Sequence, residues 1–262
     1  MDLGLEGNAV LVTASTSGLG KGCAKVMARE GANVVVNGRG TEKLEDTVEE
    51  LESVGDGEVV GVQADLTEAD DLERLVEETV EEFGGLDHLV TSAGGVPSGS
   101  FMETTEEDWY KSFDLLVMSV VRLVKNAAPH LKDGGGTVVN ITSRSVKEAL
   151  DGLALSNSVR MSVIGLEKTL STELAPEVRA NAVLPGTHDT SRIQELVDQG
   201  VERGEYDSVE EGYEEWSEGI PTGEMGEPRE LGEVVAFLSS EKASYVNGVA
   251  VPVDGGAGAS NL

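Results

Sequence analysis

Basic residues are scarce in this chain: lysine and arginine number 19 against 49 aspartates and glutamates, a formal charge of −30 over 262 residues. Such a balance excludes nucleic acid as a natural partner, because phosphate binding needs a basic stripe. Cysteine occurs once, at Cys23, so no internal disulfide can form and the residue reads as a small core side chain. No run of about 18 apolar residues occurs, so no membrane span is expected. The opening MDLGLEGNAV has neither a basic segment nor an apolar core of the kind a secretory signal needs, and no signal is expected. Together these absences give the expectation of a cytoplasmic protein, with no metal centre anticipated.

The acids are abundant and dispersed. They occur through 42–52, 65–82, 103–108 and 202–218 rather than in one tail. At low salt this surface repels itself, whereas in ~1 M salt the screening length falls to about 3 Å and the repulsion fades. The dispersion therefore points to a high-salt cytoplasm, as in halophiles. An acidic face for a basic partner would instead predict a single clustered patch.

What the chain does contain is a regular alternation of short β-branched runs and amphipathic stretches. Residues 10–22, VLVTASTSGLGKG, read as a strand, a tight glycine turn at Gly18 and Gly20, and a helix N-terminus. That turn bares backbone N–H groups, adds the positive end of a helix dipole, and lets a pyrophosphate approach the main chain. Further strands are expected at 33–37, 58–63, 86–91, 137–142, 178–183 and 248–253. Helices are expected at 41–53, 67–83, 105–132, 153–174 and 228–239, with Thr41 and Thr67 at the first two N-termini. The acidic, glycine-punctuated segment 187–225, which carries Tyr206, Tyr213 and Trp216, reads as an irregular lid or specificity loop. With no repeat and no linker, residues 1–262 form one domain. Its fold class is α/β: a Rossmann-type doubly wound parallel sheet of about seven strands with helices on both faces. Ligands in such sheets sit past the strand C-termini. The glycine turn, the turn at 92–95, Thr142-Ser143 and Pro185-Gly186 all fall there.

On these residues the chain resembles the short-chain dehydrogenase/reductase family over essentially its whole length. The family's TGxxxGxG run corresponds to Thr13-Ala14-Ser15-Thr16-Ser17-Gly18-Leu19-Gly20, with Ala14 replacing the first glycine. Its NNAG turn corresponds to Thr91-Ser92-Ala93-Gly94, its adenine-contacting aspartate to Asp65 (followed by Leu66), and its PG turn to Pro185-Gly186. The late NG and V-DGG elements correspond to Asn247-Gly248 and Val253-Asp254-Gly255-Gly256. The resemblance implies a nicotinamide cofactor held by Thr13, Ser15, Ser17, Gly18, Leu19, Gly20, Asp65, Leu66, Ala93, Gly94, Pro185 and Gly186. It also implies hydride transfer to or from a small carbonyl or alcohol. An acid at the end of the second strand would bind the ribose of NAD, whereas an arginine favours the 2′-phosphate of NADP. The turn Asn37-Gly38-Arg39-Gly40 has no acid, so Arg39 directs the expectation to NADP, with NAD as the alternative.

The family's reactive residues are altered together. Its substrate-holding serine corresponds to Ser143. Thirteen residues on, its proton-donating tyrosine is replaced by Ser156, and four further its lysine by Arg160. The asparagine of the preceding long helix falls at Leu116. A serine hydroxyl is a much weaker acid than a phenol and cannot simply replace it. Arg160 stays charged and can contact the nicotinamide ribose or polarise a substrate oxygen. Two readings follow. One is an oxidoreductase whose proton donor has moved, to Lys147, His188, Tyr206 or Tyr213. The other is a nucleotide-binding pseudoenzyme that acts as a sensor or assembly subunit. The resemblance further implies a homodimer or homotetramer formed through the two long helices, with Met118, Val121, Leu155, Val159 and Val163 as contact candidates.

Overall fold

A computed structural model describes residues 2–260. The chain opens with β1 (Ala9–Val12), α1 (Gly18–Arg29), β2 (Asn33–Gly38), α2 (Thr41–Glu52), β3 (Val59–Gln63), α3 (Ala69–Phe83) and β4 (His88–Thr91). Then come α4 (Glu106–Phe113), a π-helical turn at Asp114–Met118, α5 (Ser119–Gly134), β5 (Gly136–Ile141) and α6 (Ala154–Glu173). The last part is β6 (Val178–Pro185), α7 (Ser191–Arg203), α8 (Val209–Ser217), α9 (Pro228–Ser239) and β7 (Ala250–Val253).

All seven strands are parallel, in the order β3-β2-β1-β4-β5-β6-β7. The valine-rich strands read as continuous apolar runs because helices cover both faces, and β1 is buried at every position. On one face Leu72 and Leu75 of α3, Leu123 and Leu131 of α5 and Val163 of α6 pack on the sheet. On the other, Cys23 and Met27 of α1 meet Leu231 and Val235 of α9. Burial pushes the Cys23 thiol up to about 12, which leaves it an inert core residue. The strand order reverses between β1 and β4, so a crevice opens there at the C-terminal edge.

Three local expectations need correction. Thr41 is the first helical residue of α2, with Gly40 before it as the cap. Helix α3 begins at Ala69 rather than Thr67, because Thr67 donates its N–H and its hydroxyl to the Asp65 carboxylate instead of capping the helix. The segment 187–225 is largely helical, as α7 and α8. Its acidic surface hides the pattern, and its glycines serve packing. A Cβ on Gly200 would fall 2.4 Å from the Tyr206 ring, and one on Gly212 would fall 2.7 Å from Val197. Tyr206 is thereby clamped between α7 and α8.

The long-helix contact candidates also divide. Leu155, Val159 and Val163 are buried inside the chain, at 0–4 % exposure, because α6 turns them toward its own sheet. The large apolar side chains left exposed include Phe101, Met102, Tyr110, Phe113 and Met161, on or just before α4 and on α6, and also Val209, Phe237, Tyr245 and Val249. No described helix is long and apolar enough to cross a membrane.

Candidate cofactor and active site

A crevice of about 710 Å³ runs across the switch point. At its centre is the glycine turn. Ser17 precedes α1 in extended conformation and makes no capping bond with its side chain, so the first-turn N–H groups and the Ser17 hydroxyl are open to a ligand. Close packing forms the turn: a Cβ at Gly20 would lie 2.5 Å from the Ala14 carbonyl oxygen. Ala14 has φ +46, the sole positive φ at a non-glycine among the described residues. An L-residue in that region is strained by about 1 kcal/mol, so Ala14 carries a backbone cost that the family's glycine would not.

Asn37 holds this strained turn in place. It is 1 % exposed, and its side-chain oxygen accepts from the Ala14 N–H at 3.1 Å. Its amide donates to the carbonyls of Val62 and Ala64, tying β1, β2 and β3 together below the crevice. The sequence offered one signal for this role, a polar residue closing an apolar strand.

Of the sequence-derived cofactor residues, Ser17, Gly18, Leu19, Gly20, Arg39, Asp65, Leu66, Ala93 and Gly94 line the crevice. Four do not. Thr13 is fully buried, with its hydroxyl donating to the Ser92 carbonyl and accepting from the Ser92 N–H, so it ties the two turns together. Ser15 is also fully buried, bonded to the Val12 carbonyl and the Asn37 N–H. Pro185 ends β6, and Gly186 makes room for Asp254, whose Cα would lie 2.7 Å from a Cβ there.

At the adenine end the Arg39 side chain is 82 % exposed and only loosely paired, 4.0 Å from Asp65. Thr67 holds the Asp65 carboxyl below its ordinary range through two hydrogen bonds, with a smaller contribution from Arg39. Gly94 and Gly95 have nothing within 4 Å of a Cβ position, so the backbone of this wall is bare to the crevice. Residues beyond those read from the sequence complete the wall: Thr16, Asn37 and Thr67 on one side, and Leu115, Ile141 and Thr142 on the other. The N-terminal end of α7, Thr190-Ser191-Arg192, adds to it.

Neither Ser143 nor Ser156 is among the lining residues of the crevice; Ser143 is half-buried and its Oγ accepts from the Ser145 N–H at 3.1 Å. Ser156 is 9 % exposed, and its Oγ lies 3.2 Å from that of Ser145. Ser145 was not singled out from the sequence, where nothing distinguishes it from its neighbours. Arg160 stands one helical turn beyond Ser156 and lines the crevice. Its Nη1 donates to the Thr142 carbonyl at 3.3 Å, while its Nε is sealed from solvent without a partner. Burial lowers the guanidinium from 12.5 to about 10, so it remains a cation at neutral pH.

None of the relocated-donor candidates lines the crevice. Lys147 is exposed and faces a separate small cavity with Glu148 and Asp254. His188 is 5 % exposed, packed on Gly226, with Nδ1 3.2 Å from the Gly186 carbonyl, and burial lowers its pKa. Tyr213 donates its hydroxyl to Asp189 at 3.2 Å, and Tyr206 packs between α7 and α8. Leu116 is buried in the π-helical turn and offers no polar group.

Comparison with known proteins agrees with this geometry. The family model described as Enoyl-(Acyl carrier protein) reductase matches residues 13–258. The human protein Dehydrogenase/reductase SDR family member 4 is 37 % identical over 256 residues, covering 96 % of this chain and 88 % of its own. Its Caenorhabditis elegans namesake is 30 % identical over 255 residues, covering 96 % and 95 %. Among solved structures, L-sorbose reductase from Gluconobacter frateurii complexed with NADPH and L-sorbose superposes with a TM-score of 0.95. It is 29 % identical and covers 99 % of this chain and 100 % of its own. A variant of the actinorhodin polyketide ketoreductase with NADPH gives 0.89 at 32 % identity, covering 97 % and 98 %. A parallel seven-stranded sheet, a glycine turn at its switch point and relatives of this kind lead to one conclusion: this chain belongs to the short-chain dehydrogenase/reductase family.

Proposed function

We propose that the protein is an NADP(H)-dependent oxidoreductase that interconverts a carbonyl and an alcohol, with Arg160 supplying by charge what the family obtains from a phenol. The residues present fit the cofactor. The bare backbone at Gly94 and Gly95, the open first turn of α1 and a crevice of about 710 Å³ suit a dinucleotide. Ser17 through Gly20 would hold the pyrophosphate, Asp65 and Leu66 the adenine end, and Arg39 the 2′-phosphate. When bound, the cofactor supplies or accepts a hydride at the substrate carbon.

The chain's own residues handle the oxygen. As a carbonyl is reduced, negative charge develops on its oxygen, and the fixed Arg160 cation stabilises that charge. Ser143 positions the oxygen. The Ser156–Ser145 hydroxyl pair passes a proton toward it from solvent, acting as a relay rather than as an acid source. The single observation that carries this reading is the sealed, partnerless Nε of Arg160 beside a crevice that fits the cofactor. The test is NADPH oxidation in molar potassium chloride against a carbonyl panel. Arg160→Gln is expected to lower kcat about 100-fold or more, the usual scale for losing one charge-stabilising group. An unchanged kcat would remove Arg160 from the reaction.

A second reading keeps specific support, because Lys147, His188, Tyr206 and Tyr213 all lie outside the crevice lining. In it the chain binds NADP(H) without turnover. Tight NADPH binding with an inert panel, and activity gained by Ser156→Tyr with Arg160→Lys, would favour it.

We further assign the exposed cluster Phe101, Met102, Tyr110, Phe113 and Met161 to contact with a second copy of the chain, and the acidic surface to a high-salt cytoplasm. Light scattering in molar salt is expected to give a dimer or tetramer. A monomer would refute the assembly.

A further inference from the structure

The loop between β5 and α6 carries Ser143 and Ser145. Apart from one 3₁₀ turn at Arg144–Val146 and a bridge from Leu153 to Gly99, it is irregular. A loop with so few backbone bonds of its own is held by side chains. At its far end Asn157 of α6 holds it, donating to the Leu150 carbonyl at 2.8 Å and accepting from the Leu150 N–H at 3.2 Å. At its near end the bonds go to a segment distant in sequence, residues 254–259 after β7.

Arg144 directly follows Ser143. Its Nη1 donates to the Ala257 carbonyl at 3.1 Å and to Glu148 Oε1 at 3.2 Å. The other oxygen of Glu148 accepts from the Ala259 N–H at 3.0 Å. Both side chains are 24 % exposed, less than either member of any other ion pair among the described residues. A partly buried pair is screened much less by salt than the exposed ones. The segment they grip is braced in turn. The two oxygens of Asp254 accept from the N–H groups of Gly256 and Gly258, each at 3.0 Å, and its carbonyl accepts from the Ala257 N–H at 3.1 Å. A Cβ on Gly186 would lie 2.7 Å from the Asp254 Cα, and one on Gly255, at φ +61, would lie 2.5 Å from the Thr222 hydroxyl. Residues 254–259 therefore pack on the turn after β6 and on Thr222 while they hold the Ser143 loop.

We propose that Arg144 and Glu148 are positioning residues that fasten the loop to segment 254–259 and so fix the place of Ser143. The inference rests on the oxidoreductase reading above, in which Ser143 positions the substrate oxygen. The bonds to the segment are directional: position 144 donates to a carbonyl and position 148 accepts from an N–H. The exchanged protein Arg144→Glu with Glu148→Arg can form the ion pair again, but a carboxylate cannot donate to Ala257 and a guanidinium cannot accept from Ala259. That protein separates the fastening from the ion pair alone.

Wild type, Glu148→Ala, Arg144→Lys and the exchanged protein are compared in molar potassium chloride with NADPH present. Two readouts are taken: amide hydrogen exchange by mass spectrometry, and steady-state kinetics on the carbonyl panel. Glu148→Ala and the exchanged protein are expected to speed exchange at both 143–150 and 254–259 about tenfold or more, with α1 unchanged. Both should lower kcat about tenfold or more, the scale of a small misplacement of a positioning group, while the NADPH Kd shifts less than about threefold. Arg144→Lys, which can still donate to Ala257 and pair with Glu148, should recover most of both readouts. Should the exchanged protein not fold, Arg144→Met carries the same expectations as Glu148→Ala. An exchanged protein that matches wild type overturns the inference, because the ion pair alone would then suffice. Wild-type exchange rates in Glu148→Ala overturn it, and so does faster exchange with kcat unchanged. A fall in kcat matched by an equal loss of NADPH affinity also overturns it, since the damage would then be general. If NADPH binds and wild type turns over no carbonyl, the oxidoreductase reading fails separately and exchange alone decides the fastening. Faster exchange at both segments in Glu148→Ala upholds it, and faster exchange at only one ends it.

Discussion

Replacing Arg160 by methionine is expected to make the cofactor-free protein more stable while disabling it. The guanidinium is held where burial lowers it from 12.5 to about 10, with one hydrogen bond to the Thr142 carbonyl and a sealed, unpaired Nε. That displacement corresponds to about 3 kcal/mol lost by the charged form on folding. Methionine keeps most of the apolar stem and drops the charge, and such exchanges of buried ions for apolar side chains are often neutral or stabilising. Against the gain stands the lost bond to Thr142, worth about 1 kcal/mol. The balance is a gain of about 1–2 kcal/mol, or about 3–6 °C in Tm for a domain of this size. The assay is thermal unfolding by circular dichroism in 2 M potassium chloride at pH 7, without and with NADPH. Since pH 7 lies well below 10, the wild-type cation is fully present there. An Arg160→Met protein that melts below wild type would show that the guanidinium is net stabilising, and the argument from an unpaired buried charge would be wrong. Under the proposed role of Arg160, stability and function are opposed at this position.

Other outcomes can be checked alongside. Ala14→Gly relieves the φ +46 strain and should raise stability by about 1 kcal/mol, measured by urea unfolding; a loss would place the strain elsewhere. His88 is buried between Asn8 and Thr137, and burial lowers it to about 4. The unfolded chain takes up the proton first, so stability is lost as pH falls from 6.5 toward 4, by up to about 3 kcal/mol; a flat denaturation midpoint over that range contradicts this. Glu167, 1 % exposed with an unpartnered oxygen, is raised by burial from 4.5 to about 7, against a smaller lowering by Lys168. The stability it contributes is complete below 4.5 and lost as pH rises through 7. Glu167→Gln should therefore be about 1–3 kcal/mol more stable than wild type at pH 8 and show little difference at pH 4.5. With a net charge of −30, Tm should climb with potassium chloride up to molar concentrations, and a salt-independent Tm would refute the high-salt reading of the surface.

Local pattern was enough to specify the sheet, the glycine turn and much of the crevice lining. Valine runs form strands wherever two helical layers bury them, and Ser17, Gly18 and Gly20 must sit between β1 and α1 because chain order puts them there. Packing, by contrast, determined which way side chains point. Thr13 and Ser15 lie in the cradle by sequence yet turn inward, because the Ser92 and Asn37 backbones compete for their hydroxyls. Lys147, His188, Tyr206 and Tyr213 were plausible donors by position, and packing places them outside the crevice lining. Leu155, Val159 and Val163 looked like an outer stripe and proved to be core. Two further groups depend on contacts between segments far apart in the chain. Asn37 steadies Ala14 across β1 and β2, and the start of α7 lines the crevice because Thr190 lies over Gly18. Such long-range contacts have no local pattern in the sequence, and the chemistry of this site rests on them.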